Sequence, residues 1–366
     1  MAVPPFPSRD HGDPIIPQPL ATSTALPIRP MASCTWPGPF SLMLTAWLGR
    51  MAAQPLLAVG CLPLRRDDVI SNIKERAIRM KVYLDGAILN EGEALIPAGD
   101  RGVLFGDGIF ETVRAYDGKP FRMDRHLDRL SAGCRELRLT GVPSDEVIAA
   151  AVAELYRLNV VSGDAYVRIT LTGGIFDGNR TLQRPGPPHV YIVVKPFEGY
   201  PQEWYERGMR VVVSGIRRSE GSPLSRIKSN NYLANLMAKQ EARDRGGDDA
   251  VLLNSSGYLT EGTSSNLFLV WRGKVATPGV ECGLLPGVTR EAVLELCEEY
   301  GIACETGLLA LDELLQADEA FFTVSTGEIV PIAEVEGTSI GFKCPGPITV
   351  RLADAYKQLV KKELAF

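Results

Sequence analysis

Residues 225–233 read Ser-Arg-Ile-Lys-Ser-Asn-Asn-Tyr-Leu and open a long amphipathic run. Leu236 and Met237 follow the end of this stretch by three and four positions, which is helical spacing, so we predict a helix over 230–245. Lys228 would lie at the start of that helix. Burial and nearby cations lower the pKa of a lysine and make its amine a nucleophile toward carbonyl groups. Most lysines are solvated, however, so the rest of the chain must decide whether Lys228 is reactive.

The composition is typical of a soluble globular protein. Hydrophobic residues make up 45% and charged residues 23% of the 366 positions. This length predicts about two domains. The net charge is −5 and no run of lysine or arginine stands out, so we expect no nucleic-acid partner. Apolar runs are far shorter than the ~20 residues of a membrane helix, so we expect no membrane contact either.

The seven cysteines are odd in number and scattered, and only three histidines occur. No CxxC pair or Cys/His cluster has the spacing of a metal site. We therefore expect reduced thiols, a cytoplasmic location and no metal.

Residues 1–79 differ in composition from the remainder of the chain. The first 40 residues contain ten prolines, a density that helices and sheets do not tolerate. The segment beginning at Met80, Met-Lys-Val-Tyr-Leu-Asp-Gly, is typical of the start of a globular domain. We expect residues 1–79 to be a disordered N-terminal extension or the product of an upstream start site.

The first folded half is predicted to mix hairpins with helices. Asp85-Gly86 and Asp117-Gly118 each separate two strand-like runs, and a helix with an apolar stripe from Leu127 to Leu137 follows. Because the strands come largely as hairpins, we predict an α+β fold rather than a doubly wound parallel sheet. The predicted domains are a smaller one over 80–197, a linker over 198–206 and a larger one over 207–366.

The second half is predicted to contain strands near 209–214, 250–253, 259–270 and 321–328. A helix is predicted after Gly287 with Thr289 as its cap, and a last helix over about 347–363.

Several side chains in this pattern could hold a charged ligand. Glu261 lies among small hydroxyl residues beside an apolar strand, where a carboxylate can pair with a cationic nitrogen. Arg129 could turn inward toward an anion, although pairing with Asp124 or Asp128 on the helix surface is the commoner outcome. A helix start at Val288 and Thr289 and a hydroxyl-bearing turn at Ser325 are two further anion sites. The glycine-rich stretch 102–108 precedes a strand, so it does not indicate dinucleotide binding.

Lysine, carboxylate, arginine and two anion sites together suit pyridoxal 5′-phosphate (PLP). From Met80 nearly to the C-terminus, the chain resembles the fold type IV (class IV) PLP-dependent aminotransferases. The resemblance implies that Lys228 forms the Schiff base and moves the substrate proton, and that Glu261 pairs with the pyridine nitrogen. It also implies that Tyr232 contacts the phenolic oxygen. The implied phosphate ligands are Arg129, Val288, Thr289 and Ser325.

The resemblance also implies a substrate class and a homodimer. Ala165-Tyr166-Val167-Arg168 is similar to a motif of branched-chain enzymes, and the substrate residues it implies are Phe105, Phe110, Tyr166, Arg168 and Thr326. The expected activity is ping-pong transamination of leucine, isoleucine and valine with 2-oxoglutarate through the Lys228 aldimine.

Two other activities on the same fold stay open, those of D-amino-acid aminotransferases and aminodeoxychorismate lyases. The stretch Phe105-Gly-Asp-Gly-Ile-Phe-Glu-Thr112 and the turn Val324-Ser-Thr-Gly-Glu328 depart from the branched-chain pattern, and the first of them is nearer to these two groups. If the protein only carried PLP without catalysis, we would expect the lysine or the carboxylate to be replaced, but both Lys228 and Glu261 are present.

Overall fold

The computed structural model describes residues 80–365, and the expectation for residues 1–79 lies outside that range. The described helices are α1 Arg101–Phe105, α2 Met123–Glu136, α3 Asp145–Asn159, α4 Gln202–Arg207, α5 Leu233–Asp244, α6 Val288–Glu299, α7 Leu311–Leu315 and α8 Pro347–Glu363. The strands of the first half are β1 Lys81–Leu84, β2 Ala87–Asn90, β3 Gly108–Tyr116, β4 Lys119–Pro120, β5 Ala165–Thr172 and β6 Val190–Pro196. Those of the second half are β7 Met209–Arg218, β8 Asp249–Asn254, β9 Leu259–Gly262, β10 Asn266–Trp271, β11 Lys274–Pro278, β12 Cys304–Gly307, β13 Glu319–Val324, β14 Glu328–Val335 and β15 Thr338–Ser339.

The first sheet is antiparallel throughout, in the order β2-β1-β6-β5-β3-β4. Both predicted Asp-Gly hairpins are present. Asp85 and Gly86 have φ of 49° and 95°, and Asp117 and Gly118 have φ of 44° and 82°. Positive φ at both central residues gives the turn the twist of its flanking strands, which explains why Asp-Gly occurs there.

Helices α2 and α3 supply the first core. Leu127, Leu130 and Cys134 of the predicted apolar stripe are buried in it, together with Ile109 and Val113 of β3. Successive side chains of β3 point to opposite faces of the sheet, and its odd-numbered residues face this core, as expected for a strand with one covered face.

The second sheet closes on itself. Its order is β12-β11-β10-β13-β14-β7-β8-β9, and β9 also pairs with β10 through Glu261 and Asn266. Strands β7 and β8 are parallel, as are β7 and β14, whereas β8 and β9 are antiparallel. Mixed pairing with hairpins confirms the predicted α+β class. The closure places Glu261 at the seam where β9 meets β10.

Helix α5 starts three residues later than predicted, and two further helices were not predicted. Helix α5 begins at Leu233, and its Leu233, Leu236 and Met237 are each more than half exposed, while Ala238 and Ala242 are buried. Helical periodicity identifies an apolar face but does not tell which surface covers it.

The other two differences lie in stretches predicted to lack helices. Helix α4 interrupts the linker region, where Tyr200, Trp204 and Tyr205 pack against the second core. Helix α1 overlaps the glycine-rich stretch and is capped at its C-terminal end by Gly106, which has the left-handed φ of 66°. No helix between residues 80 and 365 is both long and apolar enough to span a bilayer.

Candidate active site

Lys228 lies on an extended segment that pairs with strand β3. The Phe110 N–H donates to the Lys228 carbonyl at 2.9 Å, and the Asn230 N–H donates to the Gly108 carbonyl at 2.9 Å. Lys228 therefore lies five residues before α5. The sequence had suggested instead that it lies at the start of this helix. These two hydrogen bonds fix the backbone of this lysine against β3.

The environment of the Lys228 amine shifts its protonation equilibrium toward the neutral form. Its Nζ lies 4.7 Å from the centre of the Phe110 ring. Burial, followed by the positive charge of Arg129, lowers the pKa of Lys228 to about 8, although Glu111 and Glu261 oppose this shift. A lysine of such pKa has a substantial fraction of nucleophilic amine near neutral pH.

Glu261 is held by three donors at the seam of the second sheet. Arg218 Nη1 lies 2.9 Å from its carboxylate, the Leu285 N–H donates at 3.1 Å and the Asn266 amide donates at 3.4 Å. Burial raises the pKa of Glu261, and the positive charge of Arg218 is the main force that opposes this rise. A buried carboxylate in this setting suits a cationic nitrogen of a ligand.

Arg218 was missed by the sequence analysis. It ends strand β7, and its remaining nitrogens donate to the carbonyls of Gly283 at 2.8 Å and Ser225 at 3.0 Å. Nothing in the local sequence marks it, since its partners come from three separate segments.

Arg129 turns inward instead of pairing with Asp124 or Asp128. Its Nε and Nη2 donate to the two oxygens of Glu111 at 2.7 and 2.8 Å, and its Nη1 donates to the Pro286 carbonyl at 2.8 Å. The guanidinium is thereby fixed between β3 and the start of α6.

Glu111 and His126 connect Arg129 to Ser325. The His126 Nδ1 lies 2.8 Å from Glu111 Oε2, and its Nε2 lies 3.5 Å from Ser325 Oγ. Burial favours the protonated form of Glu111, but Arg129 and His126 outweigh it and lower its pKa to about 2. Burial lowers the pKa of His126, and Glu111 opposes this. Glu111 is therefore ionised across the physiological range. The sequence analysis had assigned no role to either side chain.

Helix α6 begins with a glycine cap. The N-cap residue is Gly287, so Thr289 lies inside the first turn and the expectation that it caps the helix was wrong. Because glycine offers no side chain to occupy the first-turn N–H groups, these stay suited to an anion.

These side chains line one cleft. Its walls include Lys228, Glu261, Arg129, Tyr232, Val288, Thr289, Ser325 and Thr326. The Tyr232 hydroxyl donates to the Thr263 carbonyl at 2.9 Å, and its ring packs edge-on against Phe110. Two further lining hydroxyls, those of Ser265 and Thr323, are buried and have no hydrogen-bond partner among residues 80–365. Polar atoms left unpaired at such a site are expected where a ligand binds.

The remaining substrate candidates, Phe105, Phe110, Tyr166 and Arg168, are not among the residues that line this cleft. The Arg168 guanidinium stacks on the Phe110 ring at 3.8 Å, next to Lys228. Tyr166, two residues earlier on the same face of β5, has Lys195 Nζ 5.0 Å from its ring. Phe105 lies on α1 and lines a second cavity, which shares Ser229 and Asn231 with the first.

The turn after β13 is held from two sides. The Thr326 hydroxyl lies 3.0 Å from the Tyr200 hydroxyl, and its carbonyl accepts from Arg114 at 3.2 Å. Glu328 accepts from Arg114 at 3.1 Å and from the Tyr116 hydroxyl at 2.8 Å. The hydroxyls of Ser325 and Thr326 are thus presented to the cleft by a fixed turn.

A buried lysine, a paired carboxylate and a helix start suited to an anion thus line one cleft of this fold. The model of the class IV amino-transferase family matches residues 108–335, and the chain belongs to that family.

Its relatives carry three different activities in their names. A protein of Methanocaldococcus jannaschii with a provisional branched-chain-amino-acid aminotransferase name is 36% identical over 284 residues, which are 77% of this chain and 97% of that protein. An aminodeoxychorismate lyase of Bacillus subtilis is 33% identical, covering 76% and 94% of the two chains. A D-alanine aminotransferase of Bacillus licheniformis is 32% identical, covering 78% and 99%.

Solved structures confirm the fold type that the sequence had suggested. The branched-chain aminotransferase of Thermoproteus uzoniensis with norvaline is 35% identical, with a TM-score of 0.71 over 77% of this chain and 94% of that chain. A T.th. branched-chain aminotransferase with pyridoxamine 5′-phosphate is 27% identical, with a TM-score of 0.73 over the same shares.

Proposed function

We propose that this protein is a PLP-dependent transaminase that moves the amino group of leucine, isoleucine or valine to 2-oxoglutarate in a ping-pong reaction. The observation that carries the proposal is that Lys228 and Glu261 line one cleft together with Arg129 and the start of α6. Members of the class IV family use PLP, and a solved relative contains pyridoxamine 5′-phosphate.

The residues present fit this cofactor. Lys228 would hold its carbonyl carbon, Glu261 its ring nitrogen and Tyr232 its phenolic oxygen. The phosphate would be held by Arg129, Ser325 and the first-turn N–H groups of Val288 and Thr289. Bound PLP supplies an electron sink for the substrate Cα.

Lys228 would act as the base and acid of the reaction. Its Nζ accepts the proton from the substrate Cα and later returns it, a role that needs a pKa near the working pH. The Lys228 backbone pairs with β3, and its Nζ lies against the Phe110 ring. These contacts give the amine a fixed position from which to move this proton.

Arg218 would keep Glu261 ionised. Burial alone favours the protonated carboxyl, which could not stabilise a cationic ring nitrogen. The ion pair at 2.9 Å offsets this tendency.

The substrate side supports branched-chain amino acids. Phe110 offers apolar surface next to Lys228, and the resemblance adds Tyr166 to the substrate side. Arg168, which stacks on Phe110, offers a charge for the second carboxylate of glutamate when that is the amino donor. The two alternative activities are D-alanine transamination and cleavage of aminodeoxychorismate. The names of two relatives of similar identity favour them. Phe105, which lies where branched-chain enzymes usually have a tyrosine, favours them as well.

Self-association is a further part of the proposal. Exposed apolar side chains are concentrated on α1 and on the outer face of α5, and these elements are joined where the Asn231 amide donates to the Gly106 carbonyl at 2.9 Å. We expect a second copy of the chain to cover this surface beside the cleft. Sedimentation of the Leu236→Glu variant as a monomer would support this, and an unchanged oligomer would contradict it. We also propose a cytoplasmic location and the domain division near residues 198–206.

A half-reaction scan tests the proposed substrates. The purified holoenzyme is mixed with one amino acid at a time while the visible absorbance of bound PLP is followed. Loss of this absorbance with L-leucine, L-isoleucine, L-valine and L-glutamate, but not with D-alanine, is the expected result. A response to D-alanine would assign the protein to the D-amino-acid group. Absorbance that no amino acid changes, with pyruvate formed from aminodeoxychorismate, would assign it to the lyases.

A further inference from the structure

Glu111 is a carboxylate on the core-facing side of a strand. Its neighbours two positions away on β3, Ile109 and Val113, are buried in the first hydrophobic core. Glu111 itself has no exposed surface. Burial of a charge among apolar side chains is costly unless it is fully paired, so an apolar residue would be the ordinary choice here. The presence of a carboxylate at this position therefore indicates a specific role for Glu111.

Its partners account for both of its oxygens. Arg129 donates two N–H groups to Glu111 in the bidentate arrangement, at 2.7 and 2.8 Å, and His126 Nδ1 lies 2.8 Å from Oε2. A bidentate pair fixes the plane of the guanidinium as well as its position.

Each partner of Glu111 leads to a different wall of the cleft. Arg129 continues to the carbonyl of Pro286, the residue before the Gly287 cap of α6. His126 continues through Nε2 to the hydroxyl of Ser325, which follows β13. One buried carboxylate in the first sheet is thus connected to the arginine, the helix start and the hydroxyl that surround one end of the cleft.

We propose that Glu111 is a positioning residue that assembles this end of the cleft as a site for a dianionic phosphate monoester, acting through Arg129 and, by way of His126, through Ser325. The inference rests on the proposed function, because the phosphate it concerns is that of PLP. Glu111 does not touch the phosphate. It fixes the groups that do, and it balances the charge of Arg129, which lines the cleft.

The test compares PLP with pyridoxal, which shares the carbonyl and ring but lacks the phosphate. Apoprotein is titrated with each compound, and binding is followed by absorbance. Both compounds use Lys228, so their affinity ratio isolates the phosphate end of the site. Glu111→Gln keeps the shape of the side chain but removes its charge. The expected result is a drop of about 10- to 100-fold in PLP affinity, the effect of losing hydrogen bonds to a charged group, with pyridoxal affinity little changed.

Glu319→Gln is the matched control. Glu319 is also a buried carboxylate with several donors, namely the N–H groups of Ile348 and Thr349 and the Thr349 hydroxyl, but it caps α8 away from the cleft. Its replacement should lower the melting temperature without changing the ratio of PLP to pyridoxal affinity. An unchanged ratio in Glu111→Gln, or an equal change in Glu319→Gln, would overturn the inference.

His126→Asn provides a second variant should Glu111→Gln fail to fold. Asparagine can replace Nδ1 as the donor to Glu111 but cannot reach Ser325. His126→Asn and Ser325→Ala should each lower the affinity ratio, and the double variant should lose no more than the larger single effect, since both break one connection. Fully additive losses would contradict the connection through His126. Failure of the wild-type protein to bind PLP would instead refute the proposed function.

Discussion

Arg218 Nη1 lies 2.9 Å from the carboxylate of Glu261. This ion pair is the main force that opposes the rise in the pKa of Glu261 caused by burial. The ion pair joins the end of β7 to the seam of the closed sheet. A contact between distant segments therefore favours the ionised form of Glu261, the residue proposed to hold the ring nitrogen.

Replacing Arg218 by methionine should lower turnover at acidic pH, by up to about tenfold for each pH unit below the raised pKa of Glu261. Without the guanidinium, the pKa of Glu261 rises further, and the carboxylate protonates as the pH falls. The loss should therefore be largest at low pH. The kcat–pH profile checks this, with Arg157→Met, which removes an exposed arginine paired with Glu154, as the control. A uniform loss at every pH would contradict the role given to the ion pair.

Capture of PLP by the apoprotein should depend on pH with a midpoint near 8. Only the neutral amine attacks a carbonyl, and the pKa of Lys228 is lowered from that of an ordinary lysine to about 8. The rate should rise through pH 8, where it is half-maximal, and level off about one pH unit above it. Stopped-flow absorbance measures this rate. A rate that continues to rise to about pH 10, the range of a solvated lysine, would show that the pocket does not perturb the amine.

Gly108→Ala should destabilise the protein and displace the Lys228 segment. A methyl group there would lie 2.3 Å from the Leu171 carbonyl and 2.5 Å from the Asn230 amide. Overpacking of this kind costs about 1–3 kcal/mol. Thermal unfolding measures the loss, and Gly99→Ala is the control, because a methyl group at Gly99 meets no atom within 4 Å. Equal melting temperatures for the two variants would contradict the close approach at Gly108.

Much of this architecture could be predicted from local sequence. Asp-Gly pairs determine two hairpins because their backbone conformations suit the turn, and helix α8 was predicted over its observed range, Pro347–Glu363. The candidate cofactor residues were found through their motifs, and the structure brings them to one cleft.

The rest depended on tertiary contacts that no local pattern contains. Arg218, Glu111 and His126 owe their importance to partners far away in the chain. Lys228 was assigned to a helix start because its pairing with β3 is not visible in its own neighbourhood. The periodicity of α5 identified its apolar side chains but not their surroundings, and Leu233, Leu236 and Met237 are exposed in the single chain.

Borohydride reduction followed by peptide mass spectrometry identifies the lysine that binds PLP. Reduction of the holoenzyme converts the bond between PLP and its lysine into a stable amine, so the modified residue can be located. We expect one phosphopyridoxyl group, on Lys228, and none on the Lys228→Ala variant, whose fold should be retained. Modification of another lysine in the wild-type protein, or of none, would refute the role proposed for Lys228.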